Sequence, residues 1–198
     1  MLFVSLSDHY DMYFSPNPII RHFHQDRLHS ILRHVPPASG SRVLDVGCGL
    51  GILLEHLSGE RHGVDYDLSV VQVAQQRLGE KASIVCADAS VLPYPDAHFE
   101  VVICSEMLEH LSDPLPVIRE MLRVAKPSGR IIITVPNEFW LTFGRFVMLK
   151  SPAKVADHVQ DFQVADLERL FGRRAKKVEF IGGPLESVCV FKLAVFEK

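Results

Sequence analysis

Glu106, Glu109 and His110 follow closely on an apolar run, Val101-Val102-Ile103-Cys104, in the stretch "FEVVICSEMLEHLSDP". Two carboxylates and an imidazole can hold a divalent cation, pass a proton, or simply favour the start of a helix. At spacing i, i+3 and i+4 the three share one face if the segment is α-helical. The apolar run reads as a buried strand. In sheets covered on both faces, ligands sit beyond the carboxyl ends of such strands.

A second set of residues points to what sits there. "VLDVGCGLG" (43–51) runs from strand into Gly47-x-Gly49-x-Gly51 and then helix. Glycines let the backbone turn tightly and let a ligand come close. The dinucleotide fingerprint G-x-G-x-x-G would need glycine where Ile52 stands. Asp65 ends the next strand, where a carboxylate accepts hydrogen bonds from ribose hydroxyls. Asp88 and Ala89, in "CADAS", end the third and face an adenine edge. Asp45 points into the same crevice and suits an ammonium group. The loop therefore fits a nucleoside with a cationic amino-acid arm better than a pyrophosphate.

The elements that must position these residues follow from periodicity and breakers. Helices are expected over 18–34, 50–59, 68–79, 113–129 and 164–172, with Asp113 capping the fourth. Strands are expected over 42–47, 61–66, 82–88, 99–105, 130–136, 177–183 and 187–198, the last two antiparallel. Residues 137–160 read as irregular. Alternating strands and helices imply a mostly parallel α/β sheet.

With 198 residues, 47% hydrophobic and 23% charged, the chain fits one domain with a sizeable core. A net charge of −3 gives no drive towards nucleic acid. Cys48, Cys86, Cys104 and Cys189 show no paired spacing and read as reduced thiols of a cytoplasmic protein. No leader or transmembrane stretch is expected. "RRAKK" (173–177) reads as a solvated turn. His22, His24 and His29 lack a clean ligand spacing and read as solvated.

"VLDVGCGLG", "GVD", "CADAS", "FEVVICSEMLEHL" and "LRVAKPSGRIIITVPN" resemble the successive motifs of class I S-adenosylmethionine-dependent methyltransferases, in order, over residues 40–137. The resemblance implies a Rossmann-like, doubly wound, seven-stranded, mostly parallel sheet with an antiparallel C-terminal hairpin. It implies one domain over 1–198, with lid helices in 1–36 and a substrate-side insertion at 137–160. S-adenosylmethionine would be lined by Arg27, Asp45, Gly47, Cys48, Gly49, Gly51, Asp65, Tyr66, Asp88, Ala89 and Ser105, with Tyr10 and Tyr13 in the lid.

Within the family, "SEMLEHLSDP" is most similar to the quinone-biosynthesis O-methyltransferases, and "DHVQDFQVADLERLF" (157–171) looks like their segment that supplies a histidine, here His158. The ExxEH spacing is also similar to small-RNA 2′-O-methyltransferases, in which such residues hold a metal. Three roles stay open for the opening cluster. It is structural; or His110, oriented by Glu109, is a base; or Glu106, Glu109, His110 and His158 hold Mg²⁺, Mn²⁺, Fe²⁺ or Zn²⁺.

Residues 139–150, aromatic and basic, suit an apolar pocket wall, a cover helix or peripheral contact with a membrane. A small or lipid-like acceptor is expected, methylated through oxygen; the oligomeric state stays open. The rival readings are a small-RNA or other macromolecule methyltransferase, a non-catalytic binder of the same cofactor, and a dinucleotide-dependent oxidoreductase.

Overall fold

The structure, a computed structural model, describes residues 15–36, 40–147, 158–183 and 186–198. Its centre is a seven-stranded sheet of order β3-β2-β1-β4-β5-β7-β6. The strands are β1 (Arg42–Val46), β2 (Glu60–Asp65), β3 (Ser83–Cys86), β4 (Phe99–Ser105), β5 (Ala125–Pro136), β6 (Lys177–Ile181) and β7 (Phe191–Glu197). All neighbours are parallel except β7, which runs antiparallel to both β5 and β6. This is the doubly wound sheet with a C-terminal antiparallel pair that the motif order implies.

Among the described residues, six α-helices flank the sheet or its edges, α1 (Pro18–His34), α2 (Ile52–Glu55), α3 (Leu68–Leu78), α4 (Leu115–Val124), α5 (Glu138–Val147) and α6 (Val164–Phe171), and of three short 3-10 turns, Leu108–His110 matters for the site. The pleat explains the packing. Leu44, Val46, Val102, Cys104, Ile131 and Ile133 point to one face, against α4 and α6. Val43, Val101, Ile103 and Ile132 point to the other, against α1, α2 and α3. A strand covered on both faces needs apolar residues at every position, which is why β4 reads as a continuous run. Each such buried side chain contributes about 1.5–3 kcal/mol, so the carboxyl end of β4 is firmly anchored.

Some expectations need correction. The helix expected over 50–59 is only Ile52–Glu55, and the one expected over 113–129 is Leu115–Val124, because β5 already begins at Ala125. Asp113 still accepts the Leu115 N–H at 3.0 Å. Residues 138–147, read as irregular, form α5. His24 is not solvated; it packs against the Phe191 ring with centroids 5.3 Å apart. Burial, and then the charge of Arg27, lower its pKa to about 3. Tyr10, Tyr13 and residues 148–157 lie outside the described residues. Among the described residues no helix is long and apolar enough to cross a membrane.

Candidate active site

The strand order reverses between β1 and β4, and the glycine loop leaves β1 at that point. The amides of Gly47 and Cys48 both donate to the Val64 carbonyl, at 2.8 and 3.0 Å, which folds the loop back over β2. Gly47 has φ 76°, and a Cβ there would come within 2.8 Å of the Met107 sulfur. Only glycine meets both demands. Asp65 then stitches the loop. Its Oδ2 accepts the Gly49 N–H at 2.9 Å and its Oδ1 the Asp67 N–H at 3.1 Å. Each oxygen keeps a lone pair for a further donor such as a ribose hydroxyl.

The other residues expected at the cofactor gather along the same strand ends. Asp45 is buried on β1, and its carboxyl is pushed up to about 7 by burial and by Asp65, against the opposing pull of Arg27. A cationic arm would complement it. Cys48 is buried beside Asp45, which with burial raises its thiol pKa. Gly51 caps α2 in the left-handed conformation, and Tyr66 is exposed past the end of β2. Asp88 is exposed beyond β3 and accepts the Ser90 N–H at 2.8 Å, with Ala89 between them. Ser105 closes β4 and shares a hydrogen bond with Thr134 at 2.8 Å. This donor set fits a nucleoside with a cationic amino-acid arm.

The segment after β4 is not an α-helix, so Glu106, Glu109 and His110 do not share a helical face. Glu106 has φ 56°, in the left-handed region that a non-glycine residue rarely enters. That turn stops helical propagation, and only Leu108–His110 coil, as a 3-10 turn. The conformation is held from both ends of the residue. The Glu106 N–H donates to the Thr134 carbonyl at 3.1 Å, and its carboxylate takes the Thr134 hydroxyl at 3.1 Å and the Arg27 guanidinium at 3.1 Å. Arg27 comes from α1, is buried, and lies 4.7 Å over the Phe191 ring. Arg27, expected to line the cofactor, is thus paired with Glu106.

Glu109, His110 and His158 come together instead: one ligand atom from each lies within 4.8 Å of the others. Glu106 is not in this set, because Arg27 and Thr134 hold its carboxylate. Glu109 is 1% exposed, yet neither carboxylate oxygen has a hydrogen-bond partner among the described residues. Burial, and then the charge of Glu106, push its pKa well above the usual carboxylate range. The expected bond orienting His110 from Glu109 is therefore not formed. The Glu109 carbonyl accepts the N–H groups of Val159 and Gln160, at 2.8 and 3.1 Å, and this brings His158 alongside. The His110 and His158 rings meet edge to face, centroids 4.7 Å apart.

Two residues here were missed in the sequence. Glu138 opens α5 directly after β5, and its Oε1 bonds Nδ1 of His158. Lys192, wholly buried in β7, donates to the Phe162 carbonyl at 2.7 Å and so fixes the strap that carries His158. Both had a signal. Glu138 is an acid at a strand's carboxyl end, and Lys192 is a lone cation within an apolar strand.

Comparison with known proteins bears on the family and the fold. The methyltransferase domain family matches residues 44–133. The chain is similar to the ubiquinone biosynthesis O-methyltransferase of Thiobacillus denitrificans, with 31% identity over 160 residues, 74% of this chain and 69% of that one. The Vibrio cholerae protein of the same name is 30% identical over 170 residues, 79% of this chain and 69% of its own. Among solved structures, magnesium protoporphyrin IX methyltransferase from Synechocystis, with bound SAH, superposes with a TM-score of 0.71 at 18% identity, over 97% of this chain and 93% of that one.

Proposed function

The chain belongs to the class I S-adenosylmethionine-dependent methyltransferases, and from that premise we propose that it O-methylates a small phenolic or catecholic acceptor bearing an apolar tail. The donor supplies an electrophilic methyl group. What remains for the protein is to align an oxygen with it, exclude water and manage the oxygen's proton, and alignment alone is worth ~7–11 kcal/mol.

On this reading Gly47, Cys48, Gly49 and Gly51 cradle the donor, Asp65 takes the ribose and Asp45 faces the ammonium. Asp88, Ala89 and Tyr66 border the adenine, and Ser105 and Arg27 border the amino-acid arm. Glu109, His110 and His158 fit a divalent cation, since they offer one hard oxygen and two imidazoles around a common point, and the Glu109 oxygens are buried without partners. A cation bound there would supply Lewis acidity to the acceptor hydroxyl.

The observation that carries the acceptor class is the link between this cluster and α5. Glu138 bonds His158, and the same helix exposes Phe139 and Phe143 at 68% and 49%. An acceptor held at the cluster would extend its tail along those rings. Quinone-pathway names among relatives at 31% and 30% identity support this. The chain is then one methyltransferase domain whose acceptor side is built from 1–36 and 137–160, with α5 available for peripheral contact with a membrane.

The test is radiolabel transfer from S-adenosylmethionine to alkylated catechols, to free catechol and to short RNA, each with and without chelator. Transfer to the alkylated catechol, lost in chelator and restored by one metal, is expected. Transfer to RNA alone would overturn the acceptor, and full activity in chelator would overturn the cation.

A further inference from the structure

Glu138 has an arrangement that its place in the fold does not require. It stands in the first turn of α5, where an acid is normally solvated and favoured by the helix dipole. Here its side chain is only 11% exposed and that of His158 9%. Oε1 bonds Nδ1 of His158, and Oε2 is buried with no partner among the described residues. Burying a carboxylate for a single hydrogen bond is costly, so the bond should matter for more than anchoring the chain. The Glu109 carbonyl, with its two bonds from residues 159 and 160, already anchors that segment.

We propose that Glu138 is a positioning residue. By accepting a hydrogen bond from Nδ1–H it fixes His158 in the Nδ1–H tautomer, leaving the Nε2 lone pair for the site it shares with His110 and Glu109. A ring nitrogen that is to accept a proton or ligate a cation must be bare, and which nitrogen is bare is set by the bond the other one makes. Carboxylates behind metal-binding imidazoles act in this way. The consequence for the cation rests on the reading above; the tautomer itself does not.

The experiment therefore reads the two separately. Histidine-selective ¹⁵N NMR at about pH 8, with a His158→Asn variant to assign the signal, reports which nitrogen carries the proton. The wild type is expected to show Nδ1–H, Glu138→Ala to lose that preference, and Glu138→Gln, which keeps an acceptor oxygen, to retain it. In parallel, Mn²⁺ or Zn²⁺ added to each protein is expected to bind about 10–100-fold more weakly to Glu138→Ala than to wild type. Unchanged S-adenosylhomocysteine affinity shows that the variant is folded.

An Nε2–H tautomer in the wild type, a ring protonated on both nitrogens at that pH, or an unaltered tautomer in a folded Glu138→Ala variant would each overturn the proposal. If the tautomer changes as stated but neither metal binds the wild type, Glu138 keeps its role and only the cation is refuted.

Discussion

Asp45→Asn tests whether the crevice beside the glycine loop takes a cationic ligand. The Asp45 carboxyl is raised from 3.8 to about 7, by burial first and the Asp65 charge second, with Arg27 opposing. The folded value lies above the unfolded one. Its contribution to stability is therefore fully present below about 3.8 and lost as pH rises through about 7. At about 1.36 kcal/mol per pH unit, the gap corresponds to ~4 kcal/mol that the ligand-free protein gives up by neutral pH and that Asn in this position would not. A cationic arm placed against the carboxylate offsets that loss by binding the ionised form. Affinity for S-adenosylhomocysteine should then rise by up to about tenfold per pH unit below neutrality and flatten above it. Titration calorimetry in buffers of different ionisation heat counts the protons. Release of about one proton per ligand is expected near pH 6 for the wild type and none for Asp45→Asn. A wild type that releases no proton, or a variant that keeps the wild-type slope, would refute the placement of the ammonium beside Asp45.

Asp65→Ala removes two bonds to loop amides along with the expected ribose contacts, so S-adenosylhomocysteine affinity should fall by about 1.5–3 kcal/mol for each charged hydrogen bond lost to the ligand. Unchanged affinity in a folded variant would count against the ribose assignment. Glu109→Gln should weaken Mn²⁺ binding strongly, whereas Glu106→Gln should act mainly on stability through Arg27; equal effects of both on metal affinity would contradict the arrangement. Replacing Phe139 and Phe143 together with Ser should reduce sedimentation with anionic vesicles. Wild-type protein that stays in solution at low salt would exclude membrane contact through this helix.

The parts of the molecule legible in the sequence are those where one physical constraint dominates. β4 matches its expected span, Phe99–Ser105, because burial on both faces demands an uninterrupted apolar run with polar residues at each end. The glycine loop was legible because Gly47 serves a backbone and a packing need that no other residue meets. α5 was not, because Phe, Trp and Thr with a glycine at 144 give no strong helical preference, and its amphipathic pattern rests on aromatic residues that suit a pocket wall equally well. The shared helical face of Glu106, Glu109 and His110 failed for a different reason. Spacing says which residues would align on a helix, not whether the turn before it allows one. The positive φ of Glu106 depends on bonds to Thr134 and Arg27, residues 28 and 79 positions away by difference of their numbers, 134 − 106 and 106 − 27.

That long-range pairing also explains why two acids stand together where the sequence suggested a common task. Glu106 carries its charge at a site that supplies a guanidinium and a hydroxyl, and removing one partner of such a pair costs about 3–5 kcal/mol when it is well buried. Glu109 sits next to that charge with no cation of its own among the described residues. Burial raises both carboxyls; Arg27 and the Thr134 hydroxyl oppose the rise at Glu106, whereas the Glu106 charge adds to it at Glu109. The chain thereby spends one acid on tying α1 to the end of β4. The other, Glu109, is buried with its neutral form favoured, and a cation bound beside its oxygens would favour the ionised form instead. Proximity in sequence has produced opposite roles, and the residue that separates them, Arg27, lies on the far side of the glycine loop in the chain.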